Sequence, residues 1–280
     1  ISIAAHLLGY VGEVNQRTID KNPYYKSGDY IGISGIEKSY EEQLRGIKGI
    51  KVKMVDVHNR EVGSYQDGVL DTTAVMGNDL YLTIDADLQE YGEQLMQGKM
   101  GSVVAIEPST GEVLAFLSSP GYDPNLLVGR VRGKNFGLLS EDPVKPLLNR
   151  AMMGLYPPGS TFKMLNDLVG LQEGVLKPST RYSCQGAGST PIRCTHSHQS
   201  PLDVYVAIQQ SCNPFHWNVF RSILTSSGHG SLRENYISWR KHIMSMGFGH
   251  KLGTDIGSEL SGNIPRSEEH TSELQSLSHL

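Results

Sequence analysis

The spacing of apolar and polar positions changes several times along this chain, and each change predicts an element. In SGIEKSYEEQLRG (34–46), Ile36, Tyr40 and Leu44 fall four apart with charges between them. That period predicts a helix, stopped by Gly46 and Gly49. IKVKMVDVHNREVGSY (50–65) alternates through Val52, Met54 and the Val55/Val57 pair as a strand does, with His58-Asn59-Arg60 as the following turn. LYLTIDADLQEYGEQLM (80–96) predicts a short strand and then a helix capped by Asp85, with Leu88, Tyr91 and Leu95 on its apolar side. GSVVAIEPSTGEVLAFLSSP (101–120) predicts two strands around a Pro-Ser-Thr-Gly turn. Alternation within each strand is poor, which predicts burial on both faces. Residues 121–150, rich in Gly and Pro, read as loop, and a second unit begins near Asn78.

Composition narrows the function classes. Of the 280 residues, 38% are hydrophobic and 19% charged, the balance of a folded chain rather than a disordered one. A net charge of −4 with scattered Lys and Arg gives no basis for a nucleic-acid partner. The substrate expected is small or carbohydrate-linked. No stretch approaches the roughly 20 apolar residues of a membrane span. The opening ISIAAHLLGYVGEV contains His6 and Glu13 and lacks the charged start and cleavage site of a signal peptide. It starts on Ile, which leaves room for an anchor upstream. Three cysteines are too few for a disulfide framework.

The last segment, RSEEHTSELQSLSHL (266–280), follows an abrupt change at Pro265 and has no apolar period. Its run RSEEHTSELQS resembles the one-frame translation of a common short-read sequencing adapter. The expectation is a read-through tail, with the native sequence leaving off at about Pro265.

The richest chemistry lies in YPPGSTFKMLNDLVGLQEG (156–174). Pro157 and Pro158 hold the approach extended, and Gly159 lets the backbone turn closely into a helix. Phe162, Leu165, Leu168 and Val169 mark a buried helical face that ends at Gly174. Ser160 falls at the helix start, where the dipole favours a developing alkoxide, and Lys163 lies one turn on along the same side. A serine hydroxyl needs a neighbouring base to become a nucleophile, and a crowded, buried lysine can lose its charge and act as one. Ser-x-x-Lys alone is a weak signal, because Ser238-Trp239-Arg240-Lys241 repeats the spacing and Ser261-Gly262-Asn263 supplies a decoy Ser-x-Asn after it. The second pair lacks the proline-glycine entry, and Arg240-Lys241-His242 reads as a solvated helix edge.

AIQQSCNPF (207–215) adds a second element, in which a helical run from Leu202 to Ile208 delivers Ser211 and Asn213. Ser211 could relay a proton between Lys163 and a leaving group, and the Asn213 amide could hold Lys163 and a peptide-like carbonyl. The bland alternative is a polar loop ending a helix.

Taken together these motifs resemble the class B penicillin-binding proteins, most closely the elongation type known as penicillin-binding protein 2. HLLGYVGEV (6–14), YYKSGDYIGISGIEKSYEEQLRGIKG (24–49) and HNREVG (58–63) resemble that family's pedestal region. TIDADLQ (83–89), GSVVAIEPSTGEVLA (101–115), GYDPN (121–125), NRAMMGLYPPGSTFK (149–163), SCN (211–213) and MGFGHKLGTDI (246–256) resemble its transpeptidase domain. The resemblance implies an α+β fold, serine β-lactamase-like, with an antiparallel sheet and helices. Residues 1–75 would be a partial pedestal, or dimerisation-type, domain, and 76–265 the N-terminal part of a transpeptidase domain. The family's third signature, a Lys-Thr-Gly strand, is missing, since Lys251-Leu252-Gly253 comes too early and in the wrong context.

The resemblance further implies a peptidoglycan D,D-transpeptidase that cross-links stem peptides ending in D-Ala-D-Ala, through an acyl-enzyme at Ser160, and is inhibited by β-lactams. It implies an anchor in the inner or cytoplasmic membrane with the catalytic domain outside, and work beside a membrane glycosyltransferase of the elongation machinery. The chain as written, lacking the third motif, is expected not to cross-link. Rival classes are a β-lactam sensor or serine β-lactamase-like hydrolase, a non-catalytic scaffold of the same fold, and the septal transpeptidase. No cofactor is required. CQGAGSTPIRCTHSH (184–198) nevertheless gathers Cys184, Cys194, His196 and His198 between the two catalytic motifs. These suit a structural zinc, and some Gram-negative relatives carry zinc near this place with a different ligand set. A Cys184–Cys194 disulfide and plain loop residues are the alternatives.

Overall fold

The computed structural model describes residues 3–228 and 230–266. The tail expected over 266–280 therefore lies, Arg266 apart, outside the described residues. The chain divides into two compact units, Ile1–Gly154 with Gly253–Glu259, and Leu155–Leu252 with the residues from Leu260. Each is mixed helix and strand or helix and loop, and the sheets are small antiparallel pairs.

In the first unit α1 (Ala5–Leu8) leads into β1 (Val11–Glu13), α2 (Gln16–Lys21) and β2 (Tyr30–Gly32). β1 and β2 pair antiparallel, Val11 opposite Gly32. The helix predicted over 34–46 forms as two pieces, α3 (Gly35–Ser39) and α4 (Glu41–Leu44), broken at Tyr40. The break sets Glu41 to accept from the Gly32 N–H at 2.7 Å and the Tyr25 hydroxyl at 2.8 Å. Gly35 sits at φ +60, and a Cβ there would meet the Leu7 carbonyl at 2.3 Å, so only glycine admits this approach to α1. The 50–65 segment folds as a hairpin of β3 (Lys53–Val55) and β4 (Glu61–Ser64). Asp56 shapes its turn by accepting from the His58 and Arg60 N–H groups at 2.8 and 2.9 Å.

Asp85 caps α5 (Ala86–Leu95) as predicted, accepting from Leu88 N–H at 3.0 Å. The strand expected before it does not form. The apolar side of the helix is not the one that docks, because Leu88, Tyr91 and Leu95 are exposed. The residue that docks α5 is polar. Gln89 is fully buried and imitates a strand neighbour, accepting from Phe116 N–H at 2.7 Å and donating to Phe116 O at 3.0 Å.

β5 (Gly101–Ile106) and β6 (Val113–Ser119) make the predicted hairpin, Gly101 opposite Ser119. Burial on both faces holds only in β6, at Ala115, Phe116 and Leu117, whereas Val103, Val104 and Ile106 of β5 are exposed. The segment read as loop contains α6 (Arg132–Glu141), and α7 (Arg150–Met153) starts at its last residue. The core of this unit gathers Ala4, Leu7, Ile36, Phe116 and Ile256.

The second unit is helical. A 3-10 turn over Gly159–Phe162 runs into α8 (Lys163–Gln172), followed by a long loop, α9 (Val204–Gln209), α10 (Asn213–Leu224) and α11 (Leu232–Ser245). Asp203 caps α9, and Ser231 with Glu234 forms a reciprocal capping box on α11. Val169, Phe215, Val219, Tyr236, Trp239 and Ile243 close the core, each at most 1% exposed. Burial of each such side chain contributes about 1.5–3 kcal/mol. Leu168, expected on the buried face of α8, is 54% exposed instead. α8 is held to α11 by Trp239 Nε1–H on Asn166 Oδ1 at 2.8 Å and by His242 against Glu173 at 2.8 Å. The decoy Ser238 belongs to the same seam, donating to Glu173 at 3.1 Å.

Candidate active site

Ser160 is exposed and lies in the 3-10 turn, one step before α8. Gly159 takes φ +67, and the Ser160 carbonyl accepts from the Lys163 N–H, closing the turn. Lys163 is the first residue of α8 and is 9% exposed. Its Nζ donates to Ser211 O at 2.8 Å, Ser211 Oγ at 3.0 Å and Asn213 Oδ1 at 2.5 Å. The described residues give this amine no carboxylate partner. Burial pushes its pKa below the ordinary lysine value, against the opposing fields of Cys212, Cys194 and Asp167.

Ser211 reaches Lys163 from a left-handed backbone, φ +50. Asn213 opens α10, and its amide nitrogen donates to Arg193 O at 3.1 Å. Residues 48 and 50 positions beyond Lys163 thus converge on one amine. A neutral Lys163 in this setting can take a proton from a neighbouring hydroxyl, and Ser211 Oγ offers a second hydroxyl for relay.

Beside this trio the structure gathers Cys184, Cys194, His198 and Cys212, whose ligand atoms lie within 4.8 Å of one another. All three thiols are free and buried. Cys194 Sγ is 3.4 Å from His198 Nε2. The other ring nitrogen, Nδ1, faces Gln199 O at 3.0 Å, and since a carbonyl only accepts, Nδ1 carries a proton. Burial alone would raise the Cys194 pKa. The backbone N–H groups of His196 and Asn213, the His198 ring and the Cys184 thiol outweigh it and lower the value to about 6. Burial pushes Cys212 up to about 12.

His196 does not join this group. It is exposed, and its Nδ1 lies 3.3 Å from Thr195 Oγ1. Cys212 takes the fourth place that the sequence assigned to His196. The signal for it was present, a cysteine inside Ser-x-Asn, but the catalytic reading of that tripeptide hid it. A further pair had no local signal at all. Asp167 of α8 and His216 of α10 meet at 3.0 Å, both side chains 4% exposed.

Residues 101–278 match the penicillin binding protein transpeptidase domain, and residues 2–82 match the penicillin-binding protein dimerisation domain. The peptidoglycan D,D-transpeptidase MrdA of Acinetobacter baumannii is 35% identical, over 94% of this chain and 38% of its own length. MrdA of Escherichia coli K12 is 34% identical, over 95% of this chain and 42% of its own length. The chain thus spans about two fifths of the curated relatives it matches. Among solved structures, Pseudomonas aeruginosa PBP2 in complex with WCK 5153 has a TM-score of 0.70 at 30% identity, covering 97% of this chain and 54% of that one. The complex of PBP2 and MreC from Helicobacter pylori has a TM-score of 0.74 at 27% identity, covering 94% and 48%. With a dimerisation match ahead of a transpeptidase match that takes in Ser160, Lys163, Ser211 and Asn213, the chain belongs to the class B penicillin-binding proteins.

Proposed function

We propose that this chain carries catalytic machinery of a peptidoglycan D,D-transpeptidase that acts in cell-wall elongation and the maintenance of cell shape. The observation that carries the reading is the amine of Lys163, buried and donating to Ser211 O, Ser211 Oγ and Asn213 Oδ1. The names of the MrdA relatives supply the substrate class.

In this reading Ser160 Oγ attacks the penultimate D-Ala carbonyl of a stem peptide while its proton passes to neutral Lys163. The Ser160 backbone N–H is one donor to the oxyanion. Collapse breaks the peptide bond, and Ser211 relays the proton from Lys163 to the departing D-Ala nitrogen. The amine of a neighbouring stem peptide then attacks the ester, gives its proton back through Lys163, and frees Ser160 as the cross-link forms. A β-lactam follows the first half of this path and remains as the acyl ester.

The domain assignment, a pedestal over 1–75 and transpeptidase over 76–265, draws support from the two family matches. Extracytoplasmic work beside a membrane glycosyltransferase and elongation proteins is the matching proposal. The Helicobacter relative was solved with MreC. Among the described residues no helix is long and apolar enough to cross a membrane, so an anchor is assigned by analogy with the family.

The donor set of Cys184, Cys194, Cys212 and His198 suits zinc, which prefers sulfur and nitrogen in tetrahedral sites. With four protein ligands the metal would be structural, joining the 184–198 loop to the residue between Ser211 and Asn213.

Labelled penicillin tests the catalytic reading. In a chain completed through the family's third motif, a covalent adduct is expected at Ser160, absent in Ser160→Ala and Lys163→Ala. Label recovered at Ser238, or label that survives Ser160→Ala, overturns it.

A further inference from the structure

One buried polar pair in the second unit has no part in the scheme above. Asp167 lies one turn beyond Lys163 on α8, and His216 lies three residues beyond Asn213 on α10. His216 Nδ1 meets Asp167 Oδ1 at 3.0 Å, while its Nε2 lies 3.3 Å from Ala207 O of α9. One imidazole therefore touches the helix of Lys163, the helix of Asn213 and the helix that leads to Ser211.

Hydrogen-bond chemistry constrains this pair. A carbonyl only accepts, so Nε2 carries a proton. The contact between Nδ1 and Oδ1 needs one more, whether it rests on the ring or on the carboxyl. Among the described residues, the oxygens that accept from the Lys163 amine are those of Ser211 and Asn213.

Stability does not account for the pair. A buried ion pair is often no better for the fold than apolar residues of the same volume. This one also leaves Asp167 Oδ2 buried without a hydrogen bond, which is a cost. We propose that Asp167 and His216 are positioning residues: their contact fixes α8 against α10, so that Lys163 and Asn213 stay in register. The role rests on the transpeptidase reading for its purpose, though not for its geometry.

The test uses the chain completed through the family's third motif as parent, and two independent readouts. Hydrogen exchange of the 211–213 amides reports register without any catalysis. Penicillin acylation of Ser160, resolved into a dissociation constant and an acylation rate, reports chemistry. Asp167→Leu combined with His216→Phe removes the pair while filling its volume. It is expected to melt near the parent yet exchange faster at 211–213. Its acylation should be about tenfold or more slower with an unchanged dissociation constant, since small misplacements are costly to rate. His216→Asn puts an amide N–H where Nδ1 stood and should recover most of the rate lost in His216→Phe, whereas His216→Gln should not. Exchange and acylation both at parental levels in the double variant would overturn the proposal, as would equal behaviour of the Asn and Gln variants. Should the double variant fail to fold, the Asn and Gln comparison decides alone. If the parent itself takes no label, the transpeptidase reading falls, and the exchange data still decide whether the pair sets the register.

Discussion

The amine of Lys163 stands 2.5 Å from Oδ1 of Asn213, a residue 50 positions further along the chain. With the two bonds from the same amine to Ser211, that contact joins the Ser-x-x-Lys and Ser-x-Asn motifs into one site. A hydrogen bond to a charged or nearly charged group is worth about 1.5–3 kcal/mol. Asn213→Ala is therefore expected to slow penicillin acylation about ten- to a hundredfold. Stopped-flow labelling checks this, and a rate within twofold of the parent would show that the Asn213 contact does not serve the reaction.

Lys163 should give the reaction its pH dependence. Burial, the foremost cause, depresses its pKa, and the base must be deprotonated to act. Acylation should rise with pH and level off below the ordinary lysine range. The unfolded chain holds this proton more tightly than the folded one, so burial of the charge costs stability below the folded pKa. That cost fades as pH rises toward the unfolded value. Lys163→Met should accordingly melt above the parent at neutral pH, lose that margin in alkali, and take no label. Melting curves across pH measure it.

The thiol cluster makes a prediction that divides the structure from the sequence pattern. Purified chain should carry about one zinc, held by four ligands. Cys212→Ser and His198→Ala should lose it, while His196→Ala should keep it. Elemental analysis reads the stoichiometry directly, and loss of metal in His196→Ala alone would favour the spacing-based set.

Two glycines on helices should behave oppositely. A Cβ on Gly170 would sit 3.0 Å from Val219 Cγ1, at the crossing of α8 and α10. Gly170→Val should cost about 1–3 kcal/mol through overpacking. Gly137 on α6 has nothing within 4 Å of a built Cβ. Gly137→Ala should gain about 0.5–1 kcal/mol, because a helix interior penalises glycine. Chemical denaturation of both variants checks the signs.

Local signals carried part of this architecture. Asp85 announced its cap, the Pro-Ser-Thr-Gly turn announced the β5–β6 hairpin, and the proline-glycine entry separated Ser160 from Ser238. Periodicity misled where polar groups did the docking. Leu88, Tyr91 and Leu95 had the right spacing for a buried face, yet Gln89 makes the two bonds to Phe116 and turns that face outward. α6 escaped notice because Gly133 and Gly137 give it the composition of a loop. Sequence distance limited the site in the same way. Cys212 joins Cys184 and Cys194 only through the path of a long loop, and Asp167 and His216 are 49 positions apart with nothing between them to suggest a meeting.

Ser211 at φ +50 has a consequence for how this position can drift. Glycine and asparagine are the residues at ease in a left-handed backbone, and neither has a hydroxyl. Threonine keeps the hydroxyl, but its branched Cβ makes the same backbone harder to hold. Mutational paths that relax the chain thus remove the oxygen 3.0 Å from Lys163, and the path that keeps the oxygen adds strain. Under selection for both fold and chemistry, position 211 is a trap with no neutral exit among these neighbours, and its serine should outlast the more comfortable residues around it.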